Sequence, residues 1–334
     1  KTGYIYLPKF YVDFQNPRTG PSCSRDVEKE IYKLKEDGVD AIVLDLRDNG
    51  GGSLPDVVKM AGFFIKNGPI VQVAHPRYDP EIMSDIDPKI QYDGPLVVMV
   101  NSRSASASEI LAAAMQDYGR AVIVGSPTTF GKGTVQRLLD LDRLVTESGH
   151  GEPLGSVKLT MQQFYRVTGS STQLRGVHPD IVIPDQYMYI DYGEKELENA
   201  INWNKINKAY YREWDGFYPK LKKLKRNSTK RIKRSNDFDI IEEHAQRIKR
   251  NRDDSKSTLN LEKYRAERKQ YKAETQKFRD VISRETALKA ALTSSDATDM
   301  KQDTVKSEIY NRWIKSLNKD LILFETMHIV DDML

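Results

Sequence analysis

Hydrophobic and polar positions in the first half of the chain predict strands that alternate with helices. The predicted strands are short apolar runs at residues 4–14, 41–46, 95–100, 121–124, 134–141 and 156–167. The predicted helices lie at residues 26–36, from near Pro55, and at residues 106–118. In the first of them, Val27, Ile31 and Leu34 have helical spacing. This order favours crossover units, and therefore an α/β core with a mostly parallel or mixed sheet.

The second half is predicted to be mainly helical. From Glu194 onward glycines are few, whereas Lys, Arg, Glu and Gln are frequent. Residues 232–250 and 259–281 have apolar positions three and four apart, which is typical of long amphipathic helices. Residues 294–303 are polar and predict a loop, and residues 311–333 predict a closing helix.

The charge of the chain changes sign between the two halves. The 334 residues carry a net charge of +4. Residues 1–185 have 20 basic and 23 acidic side chains, a net charge of −3, whereas residues 186–334 have 32 and 25, a net charge of +7. We therefore predict two domains, a core at residues 1–186 and a charged helical extension at residues 187–334.

Several classes of protein are excluded by composition. No apolar run approaches the roughly 18 residues of a membrane-spanning helix. The single cysteine, Cys23, excludes an internal disulfide framework and a multi-cysteine metal site, and the scattered histidines predict no other metal site. The sequence opens at Lys1 without a signal-like segment, so we expect a fragment whose targeting segment lies elsewhere.

A strand-to-helix turn carries the first candidate chemistry. The sequence NSRSASASEI at residues 101–110 follows a predicted buried strand and begins an alanine-rich helix. A serine at such a turn lies at a sheet edge, where free backbone N–H groups favour developing negative charge. Ser104, Ser106 and Ser108 compete for the role of nucleophile, and small neighbours leave room for a substrate at Ser106. A polar turn with an N-cap serine is the structural alternative.

The candidate base is a lysine. The five histidines are His75, His150, His178, His244 and His328, and none lies in a motif with a carboxylate and the serine region. Lys132 lies between Gly131 and Gly133, which permit close approach of the backbone. A lysine acts as a base near neutral pH only if its pKa falls to roughly 7–8, and burial can cause that shift. A solvated turn lysine is the alternative interpretation.

Two glycine-rich segments superficially resemble nucleotide-binding loops. GSPTTFGKG at residues 125–133 has one residue too many between its first two glycines for a phosphate loop, and Gly133 replaces the residue that would hold Mg²⁺. The loop at residues 50–52 lacks the spacing of a dinucleotide fingerprint. No cofactor is therefore predicted.

Five ordered motifs resemble those of the carboxy-terminal processing peptidases, and most closely those of the tail-specific protease branch. They are LDLRDNGGGS at 44–53, SASASEI at 104–110, MQDYGR at 115–120, TFGKGTVQ at 129–136 and RGVHPDI at 175–181. The branch also has a charged helical extension, which residues 187–334 resemble. The resemblance implies a ClpP/crotonase-like core and a serine endopeptidase that uses a serine and a lysine.

The resemblance also implies a role for individual residues. The middle serine of SASAS is the family's nucleophile, which falls on Ser106, and the lysine of FGKG is its general base, which falls on Lys132. Gln136 would help to position the lysine. The oxyanion hole would use the backbone N–H groups of Ala107 and Gly51.

The sequence departs from the family pattern at two points. PTTFGK at residues 127–132 has one residue more than the family's PTFGK, which a single-residue bulge would absorb. The family's PDZ domain, expected upstream in the same chain, lies outside this sequence. The resemblance further implies protein or peptide substrates with exposed non-polar C-terminal tails, and a periplasmic location. Asp117, which lies in a family motif, is interpreted as a structural residue at a helix end.

Other functions remain open from the sequence. The chain could bind peptide tails without cutting them, or act as a scaffold through its helical half. The basic run at residues 220–234 could contact nucleic acid or lie near a membrane surface. Acidic residues interleave later and aromatic platforms for bases are sparse, so we predict no nucleic-acid partner, and a solvated helical face is the structural interpretation.

Overall fold

The computed structural model describes residues 1–75, 77–142, 153–216, 219–300 and 303–334, so that His150 lies outside the described residues. The strands are β1 (Thr2–Tyr6), β2 (Ala41–Asp45), β3 (Gly68–His75), β4 (Tyr78–Asp85), β5 (Leu96–Val100), β6 (Val122–Gly125), β7 (Thr134–Asp140), β8 (Ser156–Tyr165) and β9 (Ile181–Val182). The helices are α1 (Cys23–Glu36), α2 (Leu54–Gly62), α3 (Ala107–Asp117), α4 (Leu221–Ile232), α5 (Asn236–Asp253), α6 (Leu261–Ser283), α7 (Ser294–Asp299), α8 (Thr304–Leu317) and α9 (Leu321–Met333). A 3₁₀ turn covers Glu194–Glu196.

Five parallel strands form the central sheet, in the order β1-β2-β5-β6-β9. Its middle strands β2 and β5 are buried along their whole length, which their continuous apolar sequences require. On β2, Ile42 and Leu44 face a core that includes α1, α2 and α3, whereas Ala41 and Val43 face a second core. The sheet therefore has a hydrophobic layer on each face, because successive side chains of a strand point in opposite directions.

The second core joins the sheet to the C-terminal helices. Leu224 of α4, Phe238 of α5 and Val330 of α9 pack there with the strand residues. These helices place apolar residues inside and their many charged residues outside, as the amphipathic pattern predicts. The helical extension thus covers one whole face of the parallel sheet and forms the third layer of the molecule.

A second, antiparallel sheet has the order β4-β3-β8-β7. Strand β7 is at its edge and begins two residues after Lys132. The outer part of β7 is exposed, including the apolar side chain of Leu138. An edge strand therefore leads directly away from the candidate base.

The α/β core followed by a mainly helical region is confirmed, but three element predictions were wrong. Residues 4–14 are not one strand, because β1 ends before Pro8, which lacks a backbone donor, and only isolated bridges follow. The predicted loop at residues 294–303 contains α7, whose N-cap Thr293 accepts from the Asp296 N–H. Residues 311–333 belong to two helices, since Asp320 caps a new helix by accepting from the Leu323 N–H at 2.9 Å.

Two further elements differ from the sequence patterns. The stretch at residues 232–250 spans a break, because α4 ends at Ile232 and α5 begins after its N-cap, Ser235. The hairpin of β3 and β4 has no counterpart among the predicted strands. The second strand of this hairpin, β4, is exposed over most of its length and includes Pro80, which an edge strand tolerates. Its sequence therefore has few of the apolar positions that predict a strand.

Candidate active site

Three loops meet at the carboxyl ends of neighbouring parallel strands. Residues 46–53 follow β2, residues 101–106 follow β5, and residues 126–133 follow β6. Ligands bind at this edge of open parallel sheets because loops from adjacent strands converge there. Backbone hydrogen bonds join the loops here: the Ala105 N–H donates to the Asn49 carbonyl and the Phe130 N–H donates to the Ser104 carbonyl, each at 3.0 Å.

Ser106 is the N-cap of α3 and has an unusual backbone conformation, with φ 57° and ψ −112°. Such a positive φ costs about 1–3 kcal/mol for a residue with a side chain, and strain of this kind clusters at functional sites. Its two neighbouring serines have structural partners. The Ser104 hydroxyl donates to the Leu46 carbonyl and the Ser108 hydroxyl to the Asn49 carbonyl, each at 2.8 Å, and both serines are fully buried. Ser106 is only half-buried, which distinguishes it from both.

Gly51 lies directly beside the serine. Its φ is 96°, and a Cβ atom at this position would lie 2.8 Å from the Cβ of Ser106 and 3.0 Å from the nitrogen of Ala107. The Ala107 N–H begins α3 and donates to no acceptor within the described part of the chain. The Gly51 N–H donates to Asn49 Oδ1 at 2.9 Å. Ala107 therefore offers a free donor, whereas Gly51 would have to share its N–H with Asn49.

Glu109, which the sequence analysis does not single out, connects the loops of the serine and the lysine. Its Oε2 accepts from the backbone N–H of Ser106 at 2.8 Å and from that of Lys132 at 3.0 Å. Its Oε1 accepts from the Gly131 N–H at 2.7 Å and from the Thr129 hydroxyl at 2.6 Å. The spacing of Ser106 and Glu109 is that of a capping box, and this signal was available in the sequence.

Glu109 is completely buried, and the burial raises its pKa to about 7. The four hydrogen bonds act in the opposite direction, because donors that point at a carboxylate favour its charged form. One buried acid therefore sets the geometry of both loops.

Lys132 contacts the glutamine that was predicted to orient it. Its Nζ donates to Gln136 Oε1 at 2.9 Å. Burial lowers the pKa of Lys132, and the nearby positive charge of Lys158 lowers it further, against the opposing effects of Glu194 and Glu109. The net change is in the direction that a general base requires. Lys132 Nζ and Ser106 Oγ are not joined by a hydrogen bond in the described structure.

The loop before Lys132 has room for its additional residue. Thr129 is buried, and its hydroxyl accepts from the Val177 N–H at 2.7 Å in addition to contacting Glu109. Thr128 is less buried, and its hydroxyl donates to the Arg175 carbonyl at 2.8 Å. The longer loop therefore keeps its contacts to Glu109.

Other candidate groups lie outside this cluster. None of the four described histidines hydrogen-bonds to Ser106, and the Nδ1 of His178 instead lies 3.2 Å from the Pro127 carbonyl. Asp117 is at the far end of α3, where it pairs with Arg166 at 2.5 Å. The segment after Gly133 forms β7, whereas a phosphate loop leads into a helix. Within the described ranges, the structure thus brings together the serine, lysine, glutamine and glycine-loop candidates.

Two family models match the chain. The model of peptidase family S41 matches residues 1–183, which is more than half of the chain. The model of the C-terminal domain of tail specific protease matches residues 187–334. The two matched ranges adjoin near residue 186.

Known proteins are similar over the same regions. The tail-specific protease of Haemophilus influenzae is 35% identical over 332 residues, which are 96% of this chain and 45% of the relative. The carboxyl-terminal-processing protease of Picosynechococcus sp. is 35% identical over 186 residues, which are 56% of this chain and 40% of the relative. The solved structure of a photosystem II D1 C-terminal processing protease is 31% identical, with a TM-score of 0.45, over 55% of this chain and 42% of that one. The chain spans less than half the length of these relatives.

Proposed function

Because the chain belongs to peptidase family S41, we propose that it is the catalytic part of a serine endopeptidase, with Ser106 as nucleophile and Lys132 as general base. One observation carries the proposal. The strained Ser106 and the partly buried Lys132 are held in adjoining loops by the same carboxylate, that of Glu109. Burial lowers the pKa of Lys132, which is the direction that a general base requires.

The reaction begins when neutral Lys132 accepts the hydroxyl proton of Ser106. The Ser106 Oγ forms a bond to the carbonyl carbon of the scissile peptide, and the carbonyl electron pair moves to the oxygen. The Lys132 ammonium then gives its proton to the leaving nitrogen as the C–N bond breaks, which leaves an acyl-enzyme ester. Lys132, neutral again, accepts a proton from the attacking water. It returns this proton to Ser106 Oγ when the ester bond breaks.

The oxyanion forms beside the N-terminus of α3. The free N–H of Ala107 is one donor in the proposed hole, and the positive end of the helix favours the charge. Gly51 is the second proposed donor, because it is in contact with Ser106 and no side chain fits there. Its N–H would be shared between the oxyanion and Asn49 Oδ1.

The substrate is proposed to bind as an added strand. Among the described residues β7 is an edge strand that starts beside Lys132, and its outer edge can pair with an extended peptide through main-chain hydrogen bonds. Such pairing depends little on sequence. The relative from Haemophilus influenzae is named a tail-specific protease. We propose that this chain acts on proteins with exposed, non-polar C-terminal tails.

The partners and the location of the complete protein are also proposed from its similarity to this family. We propose that the complete protein acts in the periplasm and has a PDZ domain, in the part of its chain outside this sequence, that captures substrate tails. Within the described residues, no helix has the length and apolar composition to span a membrane. The exposed basic face of α4 is compatible with a position near a membrane surface.

Tail-dependent proteolysis by the full-length protein tests the proposal. Wild type should cleave an unfolded substrate with a non-polar tail, and Ser106→Ala and Lys132→Ala should not. Wild-type rates in either variant would contradict the proposed mechanism. If wild type binds the tail without cleaving the substrate, the alternative of a non-catalytic tail-binding module is favoured.

A further inference from the structure

We propose, building on the function above, that Glu194 of the C-terminal extension is a positioning residue for Lys132. It holds the loop of residues 130–133 and places a negative charge near the amine. Glu194 lies in the part of the chain that matches the tail-specific protease C-terminal domain, outside the range of the peptidase model. The extension would thereby contribute directly to the active site.

The backbone of the extension contacts the lysine loop. The Glu194 N–H donates to the Phe130 carbonyl at 3.0 Å. Gly193 has φ 119°, and a Cβ atom at this position would lie 2.1 Å from the Phe130 oxygen, so only glycine permits this approach. The ring of Tyr192 packs edge-on against that of Phe130, with centroids 5.6 Å apart. Three consecutive residues of the extension thus fix the residue two positions before Lys132.

The side chain of Glu194 makes a second connection to the loop, on the other side of Lys132. Glu194 is almost fully buried, and its Oε1 accepts from Gln173 Nε2 at 3.3 Å. The Oε1 of Gln173 accepts from the Gly133 N–H at 2.8 Å. Gln173 is itself fully buried, so its amide has a fixed orientation and relays the position of Glu194 to Gly133.

Burial and three nearby charged groups shift the pKa of Lys132. Lys132 is influenced by Lys158 of β8, Glu109 of α3 and Glu194 of the 3₁₀ turn. Lys158 disfavours the ammonium, whereas the two carboxylates favour it. Because Glu109 is needed to hold both loops, Glu194 is the carboxylate whose charge can be removed while its geometry is kept.

Glu194→Gln in the full-length protein is the decisive variant, because the amide oxygen can still accept from Gln173 but the charge is lost. The acidic limb of the pH profile of kcat/KM should move to lower pH, since Lys132 then loses its proton more readily. Gly193→Ala should instead displace the loop and reduce kcat by about tenfold to a hundredfold. Glu196→Gln is the matched control: this residue is in the same turn but exposed, and it pairs with Arg252 at 3.1 Å.

The titration of Lys132 can also be measured without proteolysis, by NMR of protein labelled with ¹³C at lysine Cε. The Lys132 resonance, assigned by its loss in Lys132→Arg, should titrate at lower pH in Glu194→Gln than in wild type and in Glu196→Gln. An unchanged titration would overturn the proposal even if cleavage is observed. A shifted titration in a protein that cleaves nothing would support the role of Glu194 and contradict the proposed function.

Discussion

Ser106 and Lys132 are linked through one oxygen atom, because Glu109 Oε2 accepts the backbone N–H of Ser106 at 2.8 Å and that of Lys132 at 3.0 Å. Both residues follow glycine-rich or small-residue turns that could otherwise adopt many conformations. The shared acceptor fixes the two turns relative to each other. Orientation of the proposed nucleophile and base is thus provided by a residue that need not touch the substrate.

Replacing Glu109 by Gln should reduce both activity and stability. The amide can accept with only one atom, so at least one buried N–H would lose its partner, at a cost of about 1–3 kcal/mol. We expect kcat to fall by about tenfold to a hundredfold through misplacement of the loops. Urea unfolding and steady-state kinetics measure the two effects. Glu36→Gln, at the exposed end of α1, is the control.

The stability contributed by Glu109 should also depend on pH. Its pKa is raised from 4.5 to about 7 in the folded state, so its contribution is fully present below the unfolded pKa and is lost as pH rises through about 7. The difference in unfolding free energy between wild type and Glu109→Gln should therefore narrow between pH ~5 and pH ~8. A difference that stays constant across this range would show that Glu109 is ionised throughout it.

Gln136→Ala should impair catalysis without affecting the fold. The variant removes the acceptor that holds Lys132 Nζ at 2.9 Å, but Gln136 is exposed on β7. We expect a loss of about tenfold or more in kcat, with unfolding free energy changed by less than about 0.5 kcal/mol. Arg137→Ala, the next exposed residue of the strand, is the matched control. Equal rates in the two variants would exclude a positioning role for Gln136.

The helical extension is also anchored to the strand that leads into the glycine loop. Arg47 Nη2 contacts Asp45 at 2.5 Å and Asp320, the N-cap of α9, at 2.7 Å. Asp320→Asn keeps the capping oxygen but loses the charge next to a buried guanidinium. Because Arg47 retains Asp45, we expect a loss of about 1–3 kcal/mol in unfolding free energy.

A matched N-cap provides the control for that variant. Asp303 caps α8, and its 3.8 Å pair with Lys306 is exposed to solvent. Asp303→Asn should therefore change stability by less than about 0.5 kcal/mol. A similar effect of both substitutions would show that the Arg47–Asp320 contact has no special energetic role.

The sequence predicted those parts of the molecule that depend on local patterns. Continuous apolar runs identified the strands that lead to the site, and small residues around Ser106 identified the turn. The local pattern left three serines open, and the family resemblance pointed to Ser106. In the structure Ser104 and Ser108 donate to carbonyls that are more than 50 residues away in sequence. Glu109 was missed for a related reason. Its acceptor role for Lys132 depends on contact between two loops, which no local pattern encodes.

The ends of the helices in the C-terminal half were the hardest features to predict from the sequence. The amphipathic pattern continues through residues 311–333, but Asp320 begins a new helix and pairs with Arg47 of the core. The role proposed for Glu194 also requires a contact between the extension and the loop of Lys132, which are more than 60 residues apart. Such contacts are determined by the packing of the layers, not by the spacing of apolar positions along either segment.

Covalent labelling of the full-length protein with a fluorophosphonate, mapped by peptide mass spectrometry, tests the roles of Ser106 and Lys132 most directly. We predict a single modified serine, Ser106, with a labelling rate that rises with pH and is lost or strongly reduced in Lys132→Ala. Ser102→Ala, in the same loop, should label as wild type does. A label on another residue, or an unchanged rate at Ser106 in Lys132→Ala, would contradict the assignment of this serine and lysine as nucleophile and base.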